Sequence, residues 1–211
     1  MLPISAPSGA GPSGEAGRVF ANLGAGPNRG PPPPIFAGWR EFRVDIEPQA
    51  HPDLVADLTD LSAIADGAVD GVWCSHAIEH VYAHQTPIVL SEMRRILSPD
   101  GIAVVLTPDL QAVARVVAED RLHEVLYTSP AGPITAHDVM YGLGSAIAAG
   151  HVSMAHRCGF TPTVLINAFR AGGFENFVVF RRGPYELAAL ARRSAWPSEA
   201  EREAQLGMLR P

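Results

Sequence analysis

Short apolar runs alternate with segments of helical periodicity along most of the chain. Four runs bounded by turn residues predict strands, at residues 18–23, 42–46, 69–74 and 101–107. Three consecutive apolar residues in the last run are typical of a strand that is covered on both faces. Apolar residues at helical spacing predict three helices, at residues 87–97, 110–117 and 161–171. Strands that alternate with helices predict an α/β domain with a mostly parallel sheet.

The two ends of the chain give weaker patterns. Residues 1–17 hold Gly, Pro, Ser and Ala without the basic start and apolar centre of a signal peptide, so we expect a flexible tail. Residues 174–181 predict a strand. Residues 186–193 have two interpretations: their propensity favours a helix, and the alternative is a last strand of the sheet that follows the strand at 174–181. The tail at residues 194–211 is polar and charged, so either a short helix or no fixed structure is expected.

Composition narrows the class of protein. A chain of 211 residues is long enough for one domain with a sizeable core, and its net charge of −6 argues against a nucleic-acid surface. No apolar run reaches the ~18 residues of a membrane span. Two cysteines fit a reducing compartment, so we expect a cytoplasmic protein. All 16 basic residues are arginine, which excludes chemistry that needs a lysine amine.

A glycine turn follows the first predicted strand and an acid ends the second. The turn is Gly-Ala-Gly at residues 24–26, and Asp45 follows Gly24 by 21 positions. A carboxylate at that place can accept hydrogen bonds from the hydroxyls of a ribose. The four prolines at 31–34 remove the amide donors of a phosphate-binding helix, which favours a nucleoside ligand without phosphate, such as S-adenosylmethionine. The alternative is an ordinary tight turn beside a surface acid.

With these motifs the sequence resembles the class I S-adenosylmethionine-dependent methyltransferases, and most closely the small bacterial type-11 methyltransferase-domain proteins. The resemblance spans residues 18–193 and includes the segments 44–46, 56–58, 69–76 and 92–101. It implies a Rossmann-like, mostly parallel seven-stranded sheet flanked by helices, with residues 186–193 as its last strand.

The resemblance also implies which residues bind the cofactor. They are Asn22, Gly24, Ala25, Gly26, Asp45, Ile46, Asp57, Leu58, Ser75 and His76. Two departures from the family weaken the amino-acid end of this site: Asn22 stands where an acid is usual, and the proline run replaces a helix. The alternative function is therefore a non-catalytic, degenerate domain that serves as a cofactor-binding or partner module.

The acceptor side is expected near a cluster of histidines. Residues 76–80 read His-x-x-Glu-His, which is also the inverted zinc-protease motif if a long helix and a third ligand are present. The resemblance instead puts His76 beside the cofactor and His80 facing the acceptor, while His84 is expected to be structural. We assign no metal ligand.

An insertion at about residues 108–160 is expected above the carboxyl edge of the sheet and is rich in Gly, Pro, His and Tyr. We predict His80 and His156 as bases, because histidine titrates near neutrality, and Asp109 and Tyr141 as positioning groups. The expected acceptor is a small molecule or a glycan, and its identity does not follow from the sequence.

Overall fold

The computed structural model describes residues 17–27 and 30–210, and within them the chain forms one large sheet, one hairpin and six α-helices. The strands are β1 (Val19–Leu23), β2 (Arg40–Asp45), β3 (Leu54–Val55), β4 (Val69–Ser75), β5 (Leu97–Pro108), β6 (Val125–Ser129), β7 (Gly132–Thr135), β8 (Asn176–Arg181) and β9 (Glu186–Arg192). The helices are α1 (Thr86–Ile96), α2 (Leu110–Ala118), α3 (Ala136–Tyr141), α4 (Gly144–Ala148), α5 (Pro162–Ala171) and α6 (Glu199–Gly207).

The large sheet has seven strands in the order β3-β2-β1-β4-β5-β9-β8. Its first five strands pair in parallel, and β9 is antiparallel to both β5 and β8. This is the Rossmann-like topology that the family resemblance implies, so the predicted fold class is confirmed. The carboxyl ends of the parallel strands meet at one edge, where a ligand is expected to bind.

Residues 186–193 are a strand, against their helical propensity. β9 lies between two hydrogen-bonded neighbours, and every residue from Leu187 to Arg192 is buried. Small alanines and two leucines fit this central position because the strand is covered on both faces. Tertiary packing therefore overrides the local preference.

Alternate residues of β1, β5, β8 and β9 belong to different apolar clusters on the two faces of the sheet. On one face, α1 and α5 contribute Met93 and Phe169. On the other face, Phe20 of β1 stacks on Phe36 at 4.8 Å between ring centroids, and α6 contributes Leu206. The C-terminal segment is thus helical in part and packs on the core.

The proline run does not form an α-helix. Its last residue begins a short 3-10 helix, Pro34–Phe36, which places Phe36 in the core. The predicted helices at 87–97, 110–117 and 161–171 correspond to α1, α2 and α5, and Thr161 caps α5 as its sequence indicates. The predicted flexible tail at 1–17 lies outside the described residues except for Gly17.

The insertion between β5 and α5 contains α2, the β6–β7 hairpin, α3 and α4. A third apolar cluster holds it together, with Val113, Ile134 and Val139 as buried members. In the described part of the chain, no helix is both long and apolar enough to cross a membrane. The domain limits predicted from the sequence stay a prediction, although the large sheet begins at Val19 and ends at Arg192.

Candidate functional site

The glycine turn after β1 needs glycine at two positions. Gly24 has φ +70° and Gly26 has φ +60°, a conformation that side chains with a Cβ adopt at a cost. The Gly24 amide donates to the carbonyl of Val44 at 2.9 Å, so the turn is fastened to β2. A Cβ on Gly24 would lie 2.4 Å from the Cβ of Ala77, which shows how closely the turn approaches the chain after β4.

Asp45 is fixed by the backbone at the carboxyl end of β2. One carboxylate oxygen accepts from the Gly26 amide and the other from the Glu47 amide, each at 2.8 Å. The side chain is buried at 8 % exposure. An ionised carboxylate oxygen can accept more than one hydrogen bond, so both retain capacity for ribose hydroxyls.

The other predicted cofactor residues follow the same edge of the sheet. Ile46 is 51 % exposed directly after Asp45, which leaves an apolar surface available to a flat base. Asp57 is exposed and accepts from the amide and hydroxyl of Thr59, while Leu58 packs against the core. Ser75 ends β4.

Asn22 is hydrogen-bonded to Glu41 of β2. Its amide nitrogen donates to Glu41 at 2.6 Å, and it lines a groove of about 450 Å³ that the proline run also lines. Arg43 closes this side of the glycine turn, because its guanidinium donates to the carbonyls of Ala25 and Gly26. Arg43 was not among the predicted site residues, although a charged residue next to the end of a buried strand was a signal.

His76 lies between two carboxylates where the chain leaves β4. Its ring nitrogens are 2.9 Å from Glu186 and 3.4 Å from Glu79, and its backbone has φ +51°. Burial lowers the pKa of His76, but the hydrogen bond to Glu186 and the nearby carboxylate of Glu79 outweigh it and raise the pKa to about 10. His76 is therefore a cation at neutral pH. Glu186, from β9, was not predicted.

Glu79 is buried beneath the histidines. Thr107 donates its hydroxyl to one carboxylate oxygen at 3.0 Å, whereas the other oxygen has no hydrogen bond within the described chain. Burial raises the pKa of Glu79, but His76, His80 and His156 together hold it below its usual value. The group is therefore an anion despite its burial.

His80 follows β4 and His156 lies near the end of the insertion, and both rings are close to Glu79. Their ring centroids are 4.9 Å apart, and the pKa of His156 is lowered by burial. Residues 76–80 do not lie on a long helix, because the helical part is the 3-10 helix Ile78–His80. His84 is exposed and stacks on Tyr82, so it is separate from this cluster.

A pocket of about 220 Å³ opens beside the cluster. Glu79, Tyr141, His156 and Cys158 line it, and Tyr141 is 53 % exposed. Two larger grooves, of about 460 and 650 Å³, are lined by none of the predicted site residues. The pocket thus joins two of the predicted catalytic residues, Tyr141 and His156, to the edge where β4 ends.

Asp109 occupies a structural position instead. It is fully buried and caps α2 by accepting from the amides of Gln111 and Ala112. Its second oxygen accepts from Arg181 at 2.7 Å. Both oxygens are therefore engaged within the fold.

Comparisons with known proteins agree with this architecture. Residues 23–105 match the family model of a methyltransferase domain. The fold is similar to that of a 1,6-didemethyltoxoflavin-N1-methyltransferase from Burkholderia thailandensis, at 18 % identity over 84 % of this chain and 72 % of that one, with a TM-score of 0.53.

Two archaeal proteins described as S-adenosylmethionine-dependent methyltransferases also share the fold. The Archaeoglobus fulgidus protein is 15 % identical over 83 % of this chain and 86 % of its own, with a TM-score of 0.52. The Methanosarcina mazei protein is 14 % identical over 84 % and 93 %, with a TM-score of 0.51. A search of curated proteins found no sequence match.

The sheet order defines a Rossmann-like fold, with the glycine turn and Asp45 at the carboxyl edge of its parallel strands. The match of residues 23–105 to the methyltransferase-domain model and the sheet order confirm the resemblance to the class I S-adenosylmethionine-dependent methyltransferases.

Proposed function

We propose that the protein binds S-adenosylmethionine and transfers its methyl group to an acceptor held under the insertion. The observation that carries the proposal is the placement of Asp45 beside the glycine turn, with both oxygens oriented by backbone amides. The methyltransferase-domain match over residues 23–105 supports the same assignment.

The cofactor would lie along the carboxyl edge of β1, β2 and β4. Asp45 would accept from the ribose hydroxyls, and the exposed Ile46 and Asp57 would border the adenine. The amino-acid end would lie toward Gly24, Ser75 and His76. Arg43 donates hydrogen bonds to two backbone carbonyls of the glycine turn and thereby stabilises the shape of the turn.

The acceptor would enter the pocket beside Glu79, Tyr141 and His156. Methyl transfer is an in-line displacement, so correct placement of the acceptor supplies much of the rate. His80 and His156 stay the proposed groups that act on the acceptor. Asp109 is left out of this set, because its carboxylate caps α2 and pairs with Arg181.

Two observations favour a second candidate, a cofactor-binding module without catalysis. Asn22 is hydrogen-bonded to Glu41, and the chain after the turn supplies no α-helix between residues 30 and 40. Both features remove groups that would hold the amino-acid end of the cofactor. Binding of S-adenosylhomocysteine without turnover on any acceptor would support this candidate.

The test is ligand-dependent thermal unfolding together with calorimetric titration. A ligand at about 100 times its Kd stabilises the native state by about 2.7 kcal/mol, which raises Tm by roughly 5–10 °C in a chain of this size. We expect this shift with S-adenosylhomocysteine and none with NAD. A shift with NAD alone would contradict the proposal.

A further inference from the structure

Glu79, His80 and His156 offer ligand atoms of a mixed nitrogen and oxygen set. One donor atom from each residue lies within 4.8 Å of the other two. Two ligands of one zinc ion, each about 2.1 Å from it, are at most about 4.2 Å apart. A movement of less than about 1 Å by the side chains therefore brings the three donors to the span of one ion.

Both imidazoles are held in the tautomer that a metal requires. His80 Nδ1 lies 3.2 Å from the carbonyl oxygen of Ala155, and His156 Nδ1 lies 2.9 Å from that of Val139. A carbonyl only accepts, so each Nδ1 carries the hydrogen and each Nε2 of a neutral ring keeps its lone pair. Such backbone partners behind a ligating histidine are the usual outer support of a metal site.

The carboxylate of Glu79 is the second, independent indication of a ligand. Its side chain is 1 % exposed, and one of its oxygens has no hydrogen bond within the described chain. Nδ1 of the His76 cation lies 3.4 Å from this oxygen and forms an ion pair with it, but not a hydrogen bond. A buried carboxylate oxygen without a hydrogen bond is costly unless another group satisfies it.

We propose that Glu79, His80 and His156 bind one divalent transition-metal ion. Two imidazoles and one carboxylate suit Zn²⁺, Fe²⁺ or Co²⁺, whereas Mg²⁺ and Ca²⁺ prefer oxygen ligands. Three protein ligands leave a coordination position open, and the pocket beside Glu79 and His156 leads to it.

The open position selects an acceptor that binds through oxygen, and this part of the inference rests on the proposed function. A metal-bound hydroxyl loses its proton to water more readily than a free one. The oxygen then forms its bond to the methyl carbon as the carbon–sulfur bond breaks, and the electron pair remains on sulfur. The ion acts as a Lewis acid and water accepts the proton, so the step does not need the histidine base that the sequence predicted.

The experiment uses the full chain without an affinity tag, stripped with a chelator and dialysed against Zn²⁺, Co²⁺ or Mg²⁺. We expect one equivalent of Zn²⁺, a visible absorption band of tetrahedral or five-coordinate Co²⁺, and no retained Mg²⁺. The variants His156→Ala and Glu79→Gln should each weaken Zn²⁺ binding by at least about tenfold. His84→Ala is the matched control, since this exposed histidine lies outside the cluster.

Calorimetry with S-adenosylhomocysteine on the same samples separates the two proposals and shows that each variant is folded. Cofactor binding without stoichiometric Zn²⁺ would overturn the metal site and leave the proposed function standing. Stoichiometric Zn²⁺ without cofactor binding would do the reverse. Equal loss of Zn²⁺ in His84→Ala and His156→Ala would also overturn the site, because the metal would then bind elsewhere.

Discussion

Asp45 connects the glycine turn to the ribose and should affect both binding and stability. Asp45→Ala removes a charged acceptor, so S-adenosylhomocysteine affinity should fall about ten- to a hundred-fold, or roughly 1.5–3 kcal/mol. It also leaves the amides of Gly26 and Glu47 without their acceptor, at an added cost of about 1–3 kcal/mol in the free energy of unfolding. Calorimetry and urea unfolding measure the two effects.

Asp45→Asn keeps the shape and one carbonyl acceptor, so it should lose affinity with a smaller loss of stability. Glu175→Gln, an exposed acid, serves as the control for net charge. Unaltered affinity in folded Asp45→Asn and Asp45→Ala proteins would place the ribose elsewhere.

His76 gives the molecule a pH-dependent stability. The folded-state pKa, about 10, is above the ordinary value of 6.5, so the folded protein holds this proton more tightly than the unfolded chain. The stabilisation is complete below about pH 6.5 and is lost as pH rises through 10. Urea unfolding of the wild type and His76→Gln should give curves that converge over this window.

The convergence should be weaker in Glu186→Gln, because its carboxylate oxygen, 2.9 Å from the ring, would be replaced by an uncharged amide. Curves that stay parallel from pH 6 to 10 would show that His76 does not carry the effect.

At the scale of elements, the two glycines of the turn allow the cost of backbone strain to be measured apart from the cost of steric overlap. Gly24 and Gly26 both have positive φ, but only a Cβ on Gly24 meets a neighbour, the Cβ of Ala77 at 2.4 Å. Gly26→Ala should cost about 1–2 kcal/mol of unfolding free energy. Gly24→Ala should cost about 2–5 kcal/mol, because overpacking adds to the strain.

The double variant Gly24→Ala with Ala77→Gly tests the cause. Removal of the opposing methyl group should recover part of the loss, and urea unfolding of all four proteins gives the coupling energy. Equal losses for the two single glycine variants, or no recovery in the double variant, would mean that the contact with Ala77 does not matter.

Local patterns predict the elements whose apolar residues follow one period. β1, β2, β4, α1 and α5 have such patterns, and their bounds differ from the predicted ones by a few residues. The two-residue strand β3 and the short elements of the insertion are too brief to show a period. β9 required the family resemblance, because its alanines and leucines favour a helix in isolation.

The candidate site was predictable only where it follows one stretch of chain. Motifs after β1, β2 and β4 indicate the glycine turn, Asp45 and the His76–His80 segment. Thr107 and Glu186 reach the site from β5 and β9. They lie close together because the antiparallel register of these strands pairs Thr107 with Leu187 and Pro108 with Glu186. No short pattern carries such long-range information.

At the scale of the whole molecule, α6 covers the face of the sheet that holds Phe20, where the proline run forms no α-helix. Leu206 and Leu209 are buried in the cluster that contains Phe20 and Phe36. The carbonyl of Leu209 also accepts from Arg182 at 2.8 Å, and Arg182 pairs with Glu186 at 2.6 Å. Glu186 in turn pairs with His76, so hydrogen bonds connect the C-terminal segment to the candidate site.

Leu206→Ala tests whether this helix is part of the core. The side chain is 2 % exposed, so its truncation should lower the free energy of unfolding by about 2–5 kcal/mol, from lost burial and the cavity that remains. Met208→Ala is the matched control: this side chain is 50 % exposed, and its loss should change stability by no more than about 0.5 kcal/mol. Urea unfolding measures both. If the two variants are equally stable, α6 does not contribute to the core, and the face of the sheet that holds Phe20 must be covered in another way.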